Sequence, residues 1–168
     1  MTRPRRGDAD AAALRRGLAA GDISWIATDH CEFPLDTKRR ESAGGFPAIP
    51  NGAAGVGERL LVTYTLGVCA GLLSPESWVR LCCEQPAELM GLSGRKGRVA
   101  EGHDADLVLF DPAAEGTALP LNADASVWTG DDWHGDVKAV WRRGEQVVAD
   151  GRLAKKIGAG TFLPRRLR

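Results

Sequence analysis

The chain has 168 residues, with 22 lysines and arginines set against 22 aspartates and glutamates, so its formal net charge is zero. Hydrophobic residues make up 43% and charged residues 26%, which excludes a disordered chain, a collagen and a coiled coil and allows a domain of ordinary size with a buried core. No run approaches the ~20 apolar residues that cross a bilayer, and a neutral chain is a poor match for a polyanion, so neither a membrane nor nucleic acid is expected as a partner.

In chain order, Asp8 is placed to cap a helix over residues 9–20, with Leu14 and Leu18 on one face and Gly21 as its stop. The apolar run ISWIAT, residues 23–28, is bounded by polar residues and reads as a buried strand ending in Asp29. Residues 32–57 are rich in glycine, proline and charge and read as a long loop. A helix is expected over 58–70, with Leu60, Leu61, Tyr64 and Val68 on one face. Ser74-Pro75-Glu76 is a helix start: a hydroxyl to cap, a proline whose fixed φ suits the first turn, and an acid at the positive end. That helix should turn Trp78, Leu81 and Cys82 inward, and a short further helix over 86–90 should stop at Gly91. Beyond Arg95 the pattern becomes β, with a boundary near 94–97. Residues 105–110 read as a strand, and 137–142 with 145–149 as a hairpin about Arg143-Gly144, the glycine supplying a positive φ. The basic, glycine-rich tail, 155–168, is expected to lie over a neighbouring element or to fray.

The cysteines are Cys31, Cys69, Cys82 and Cys83; an adjacent pair and no CxxC make a poor disulfide framework. Reduced thiols follow, and with no apolar stretch near Met1 to act as a secretory signal, a cytoplasmic protein is expected. Gly52 to Glu58 resembles a phosphate loop only in its glycines. Glu58 stands where the lysine belongs and would repel phosphate, so this is a glycine-rich turn feeding a helix. His30, His103 and His134 form no HxH or HExxH pair, and zinc needs three or four converging ligands, so no local site is built. His103 and His134 read as solvent-facing or loop histidines, and Cys82-Cys83 as small buried packing on a helix. Thr28-Asp29-His30-Cys31 differs. An aspartate closing a buried strand and opening a loop is where α/β barrels hold their chemistry, and it is also where an aspartate caps a loop; position leaves both readings open.

Five stretches, taken together, carry a family resemblance: ALRRGLAAGDISWIATDHCEF (13–33), IPNGAAGVGERL (49–60), QPAELMGLSGRKGRVAEGHDADLVLFDP (85–112), VKAVWRRGEQVVADG (137–151) and GAGTFLPR (158–165). In this order and spacing the chain resembles the C-terminal third of a dihydropyrimidinase or D-hydantoinase, cyclic amidohydrolases of the amidohydrolase superfamily. TDHC, IPNG and the GL–RKG stretch are the specific parts. Non-enzymatic relatives lack the aspartate before the histidine, which Asp29 supplies here.

The resemblance implies an α/β fold: the C-terminal portion of a (β/α)8 TIM barrel with part of a small β-sandwich. Residues 1–96 would hold the last barrel strand and the helices after it, 97–152 a sandwich segment, and 153–168 the basic tail. It implies a hydrolase of pyrimidine catabolism in which two zinc ions activate a hydroxide that opens a dihydropyrimidine or hydantoin ring to an N-carbamoyl amino acid. Asp29 would be a metal ligand and the group that carries the proton to the leaving nitrogen, and Asn51 would bind the ring amide through its main chain. The family's HxH pair, carboxylated lysine and two further histidines find no match here. The resemblance therefore implies a truncated enzyme, inactive alone and without tight zinc. The alternatives are a C-terminal half that completes a barrel with a separate N-terminal half, and a non-catalytic binding module or homo-oligomer. Gln85 replaces the family's asparagine before the proline, a weaker helix cap.

Overall fold

A computed structural model describes residues 7–116, 124, 128, 132–153, 158 and 160–164. Helix α1, Asp8–Ala20, opens with Asp8 and Asp10 in its first turn, where acids suit the positive helix end, and closes on Gly21 at φ 83. The closing turn is tied by the Gly21 N–H to the Leu18 carbonyl and the Asp22 N–H to that of Gly17. Asp8 is the first helical residue, not the cap: the capping position is Gly7, and no side chain caps it.

Residues 23–28 do not form the buried strand expected of them. The segment is without regular secondary structure and no residue in it is buried. A strand needs a partner for the backbone groups along its edges. Here the Ile26 N–H reaches only the Leu81 carbonyl, at 3.4 Å, and the Ile26 carbonyl receives the Arg59 guanidinium at 3.4 Å. The long loop expected over 32–57 is also revised, because it contains α2, Leu35–Glu41, followed by two 3-10 turns, Ser42–Gly44 and Phe46–Ala48. Pro34 precedes α2, Asp36 lies in its first turn and Lys38, Arg39 and Arg40 in its last, so the charges follow the helix dipole. Glycine and proline content masked that order.

The helix expected over 58–70 is α3, Arg59–Thr63, running on as a π-helical turn, Tyr64–Cys69. Helix α4, Pro75–Val79, has Ser74 as its cap, with the Ser77 N–H donating to Oγ at 3.2 Å. It does not end before a separate helix. A π-helical turn, Arg80–Glu84, carries it into α5, Gln85–Leu89, as one rod. Gln85 is therefore inside a helix, and its poor capping has no consequence. Pro86 explains the widened turn. Proline brings no N–H, so a carbonyl four or five residues back loses its helical donor. The carbonyls at those two positions are those of Cys82 and Leu81, and each receives a donor from outside the rod. Arg59 Nη1 donates to the first at 3.2 Å, and the Ile26 N–H to the second.

The β elements are β1 Leu107–Gly116, β2 Trp133–Arg142, β3 Glu145–Ala149 and β4 Arg152–Leu153, joined antiparallel in the order β1-β2-β3-β4. The β2–β3 turn places Arg143 at φ 50 and Gly144 at φ 80, the two positive values that match hairpin twist. β1 runs beyond the expected end at 110, with the register broken between Asp111 and Glu115 around Pro112, where a proline can be accommodated. The sheet packs on the helical layer. Leu61 and Val62 of α3 bury against Trp133 of β2, while Tyr64, Trp78 and Phe110 meet with ring centroids 4.8–5.2 Å apart. The result is a mixed helix and strand structure with its core where the two layers meet. Most of the basic tail lies outside the described residues.

Candidate functional site

Asp29 is exposed and sits in the left-handed region, at φ 48, which aspartate tolerates better than most residues. It leads directly into a short parallel bridge between His30 and Ala53, with the Cys31 N–H donating to the Ala53 carbonyl at 3.1 Å. The bridge lays the TDHC segment beside the IPNG segment. Gly52 lets them close: its φ is 129, and a Cβ there would stand 2.1 Å from the Cys31 carbonyl oxygen.

Two side chains brace this junction. His30 Nδ1 accepts the main-chain N–H of Gly55 at 3.1 Å and of Val56 at 3.2 Å. Two donors on Nδ1 assign the proton to Nε2, which meets the Glu32 carboxylate at 2.7 Å. Lys38, on α2, donates from Nζ to the carbonyls of Pro50 and Gly52, each at 2.8 Å. Asn51 lies between those carbonyls and is exposed. Asp29 and Asn51 are thus carried on neighbouring segments, one residue before and two residues before the bridged pair.

Residues 5–147 match the amidohydrolase family. The chain belongs to that family. It is 38% identical over 154 residues to a D-phenylhydantoinase of Escherichia coli O81 (strain ED1a), an alignment covering 89% of this chain and 33% of that protein. A solved D-hydantoinase matches at 36% identity with a TM-score of 0.93, over 99% of this chain and 37% of that one. A D-hydantoinase (dihydropyrimidinase) from Thermus sp. matches at 35% identity with a TM-score of 0.85, over 91% and 34%. This amidohydrolase chain spans about a third of the length of the relatives it matches.

Among the described residues no group of three or more His, Cys, Asp or Glu converges. His30, the nearest nitrogen ligand in sequence to Asp29, has both ring nitrogens engaged, so Asp29 offers a single carboxylate where a closed site needs four donors. A cavity of about 290 Å³ between the end of α1 and α4, lined by Leu18, Ile23, Leu73, Ser77 and Arg80, includes neither Asp29 nor Asn51.

Other expectations fall out unevenly. His103 is a loop residue whose Nε2 faces the Ser93 carbonyl at 3.1 Å, and His134 is solvent-facing on β2, both as expected. Cys82 is buried beside Thr63, and burial pushes its thiol pKa up, but Cys83 is exposed, so only one of the pair packs inward. The glycine-rich 52–58 turn does feed α3, with the Glu58 carboxylate fully buried at its head. Sequence reasoning missed His30 and Lys38 as braces. In the sequence His30 suggests only a metal ligand, and Lys38 is hidden in the run Lys38-Arg39-Arg40, 12 and 14 residues from its acceptors.

Proposed function

We propose that this chain contributes to the active site of a hydantoinase- or dihydropyrimidinase-type cyclic amide hydrolase. The observation that carries the reading is the His30–Ala53 bridge, which draws Asp29 and Asn51 onto adjacent segments within a chain that aligns along most of its length with hydantoinases. Asn51 presents main-chain groups to the ring amide. Water attacks the ring carbonyl carbon, the Asp29 carboxylate accepts a proton from it, and the C–N bond breaks as that proton passes to the leaving nitrogen. The product is an N-carbamoyl amino acid. In this reading Asp29 is also one oxygen ligand of a zinc pair whose remaining ligands lie beyond these residues, on the same polypeptide or on another. The one-third coverage of the relatives favours such a shared site, and the chain alone is then inactive. Residues 1–96 are read as the barrel portion, 97–152 as a sandwich segment and 153–168 as a basic tail, with homo-oligomers or a separate N-terminal half as partners.

The test uses the native polypeptide or complex that carries these residues, with hydantoin and dihydrouracil as substrates. Asp29→Asn keeps the size but cannot cycle a proton, so turnover should fall by roughly 10²–10⁴-fold, the usual span of general acid–base catalysis, while His103→Ala leaves it intact. A loss below about tenfold is too small for this role and would return Asp29 to being a loop cap.

A further inference from the structure

Lys38 is half-buried, and its ammonium lies 5.4 Å from the centre of the Phe33 ring. Of the three donors an ammonium has, two are spent on one turn, on the carbonyls of Pro50 and Gly52. A solvated surface lysine gains nothing from such an arrangement, because it gives up water and rotamer freedom to hold it. The geometry separates the main-chain groups of this turn. The carbonyls on either side of Asn51 are committed to Lys38, whereas no described residue hydrogen-bonds to the main-chain N–H or carbonyl of Asn51 itself. The effect is also electronic. The Pro50 carbonyl and the Asn51 N–H belong to one planar peptide, so a cation on the oxygen draws density through the amide and makes that N–H a stronger donor. One donor and one acceptor on a single residue are the complement of a ring amide, which carries one of each.

We propose that Lys38 is a positioning residue that fixes the Asn51 turn so that its main-chain N–H and carbonyl receive the ring amide of a cyclic substrate. This rests on the functional reading above. Lys38 acts through the Asn51 peptide and does not touch the reacting atoms.

The test compares wild type with Lys38→Met, which keeps the length and removes the donors, and Lys38→Arg, which keeps a charged donor, in the native polypeptide or complex. Two quantities are read: KM and kcat for hydantoin, and the amide proton shift of Asn51 in isotope-labelled protein. Loss of the charge-assisted bonds that position this peptide, which serves substrate and transition state alike, should raise KM about tenfold in Lys38→Met with kcat within about twofold, and Lys38→Arg should restore it. The Asn51 amide proton should move upfield in Lys38→Met and return in Lys38→Arg. If Lys38→Met does not fold, Lys38→Gln, an uncharged donor, should show the same changes to a smaller extent. An unchanged KM with an unmoved Asn51 signal overturns the assignment, and so does a loss of kcat and stability together that arginine does not rescue. If wild type opens no cyclic amide, the functional reading fails on its own, and the Asn51 signal still decides whether Lys38 polarises this peptide.

Discussion

Gly52 shows how much of this junction depends on the absence of one carbon. A Cβ there would meet the Cys31 carbonyl at 2.1 Å, on the segment that carries Asp29, and the φ of 129 is one that side-chain-bearing residues rarely adopt. Either the backbone turns or the two segments part, and each costs about 1–3 kcal/mol. Gly52→Ala should lower the unfolding free energy read from urea denaturation by that amount and speed exchange of the Cys31 amide, which now donates to Ala53. An alanine variant as stable as wild type, with Cys31 still protected, would mean that the bridge does not need this glycine. The motif reading reached TDHC and IPNG because both are contiguous. It could not reach the contact between Gly52 and Cys31, which exists only when residues far apart in the chain meet.

At the scale of elements, Pro86 governs how the N-terminal segment is held. The carbonyls of Leu81 and Cys82, five and four residues before Pro86, are met by Ile26 and Arg59, and Arg59 also reaches the Ile26 carbonyl. Arg59 therefore joins α3, the 23–28 segment and the α4–α5 rod. Arg59→Met keeps the packing stem but removes the donors, leaving part-buried carbonyls unmet at a cost of about 1–3 kcal/mol. Hydrogen exchange should find the amides of 23–28 the faster class, β2 and β3 the slower, and the variant should accelerate 23–28 without altering the β2–β3 hairpin. Uniform acceleration across the molecule would show that Arg59 does not act locally. The apolar run at 23–28 suggested a strand because composition reports burial preference, and it says nothing of which strands stand alongside.

At the scale of the whole molecule, two of the contacts between the helical portion and the sheet differ in kind. One is the apolar contact of Leu61 and Val62 with Trp133. The other is a charged junction, in which Lys96 pairs with Asp104 at 2.7 Å and with Asp106, while the Asp106 carboxylate also accepts the Arg143 N–H of the hairpin turn. The hydrogen bond from Lys96, opposed by burial and helped by Arg95, holds the Asp104 carboxyl below its ordinary range. A lowered carboxylate contributes stability above its unfolded value, near about pH 4, and loses that contribution as pH falls through the lower folded value. Acid should therefore loosen this junction before the apolar contact. Amide exchange of Gly144, whose N–H is held by the Ala105 carbonyl, should quicken in that window, and Lys96→Met should flatten the pH dependence. A Gly144 rate that shows the same pH profile in both proteins would remove Lys96 from the account.

What the sequence by itself determined was local or additive. The Ser74 cap, the Arg143-Gly144 turn, the inward Trp78 and the family signature all depend on residues close in the chain, where propensity and spacing are complete information. The tertiary structure alone decided that α4 and α5 are one rod, that 23–28 is not a strand, that α2 forms within an apparent loop, and that Lys38 and His30 brace the segments bearing Asn51 and Asp29. Each of these turns on where a main-chain carbonyl or N–H finds its partner. That partner is set by three-dimensional proximity, which no window of neighbouring residues contains.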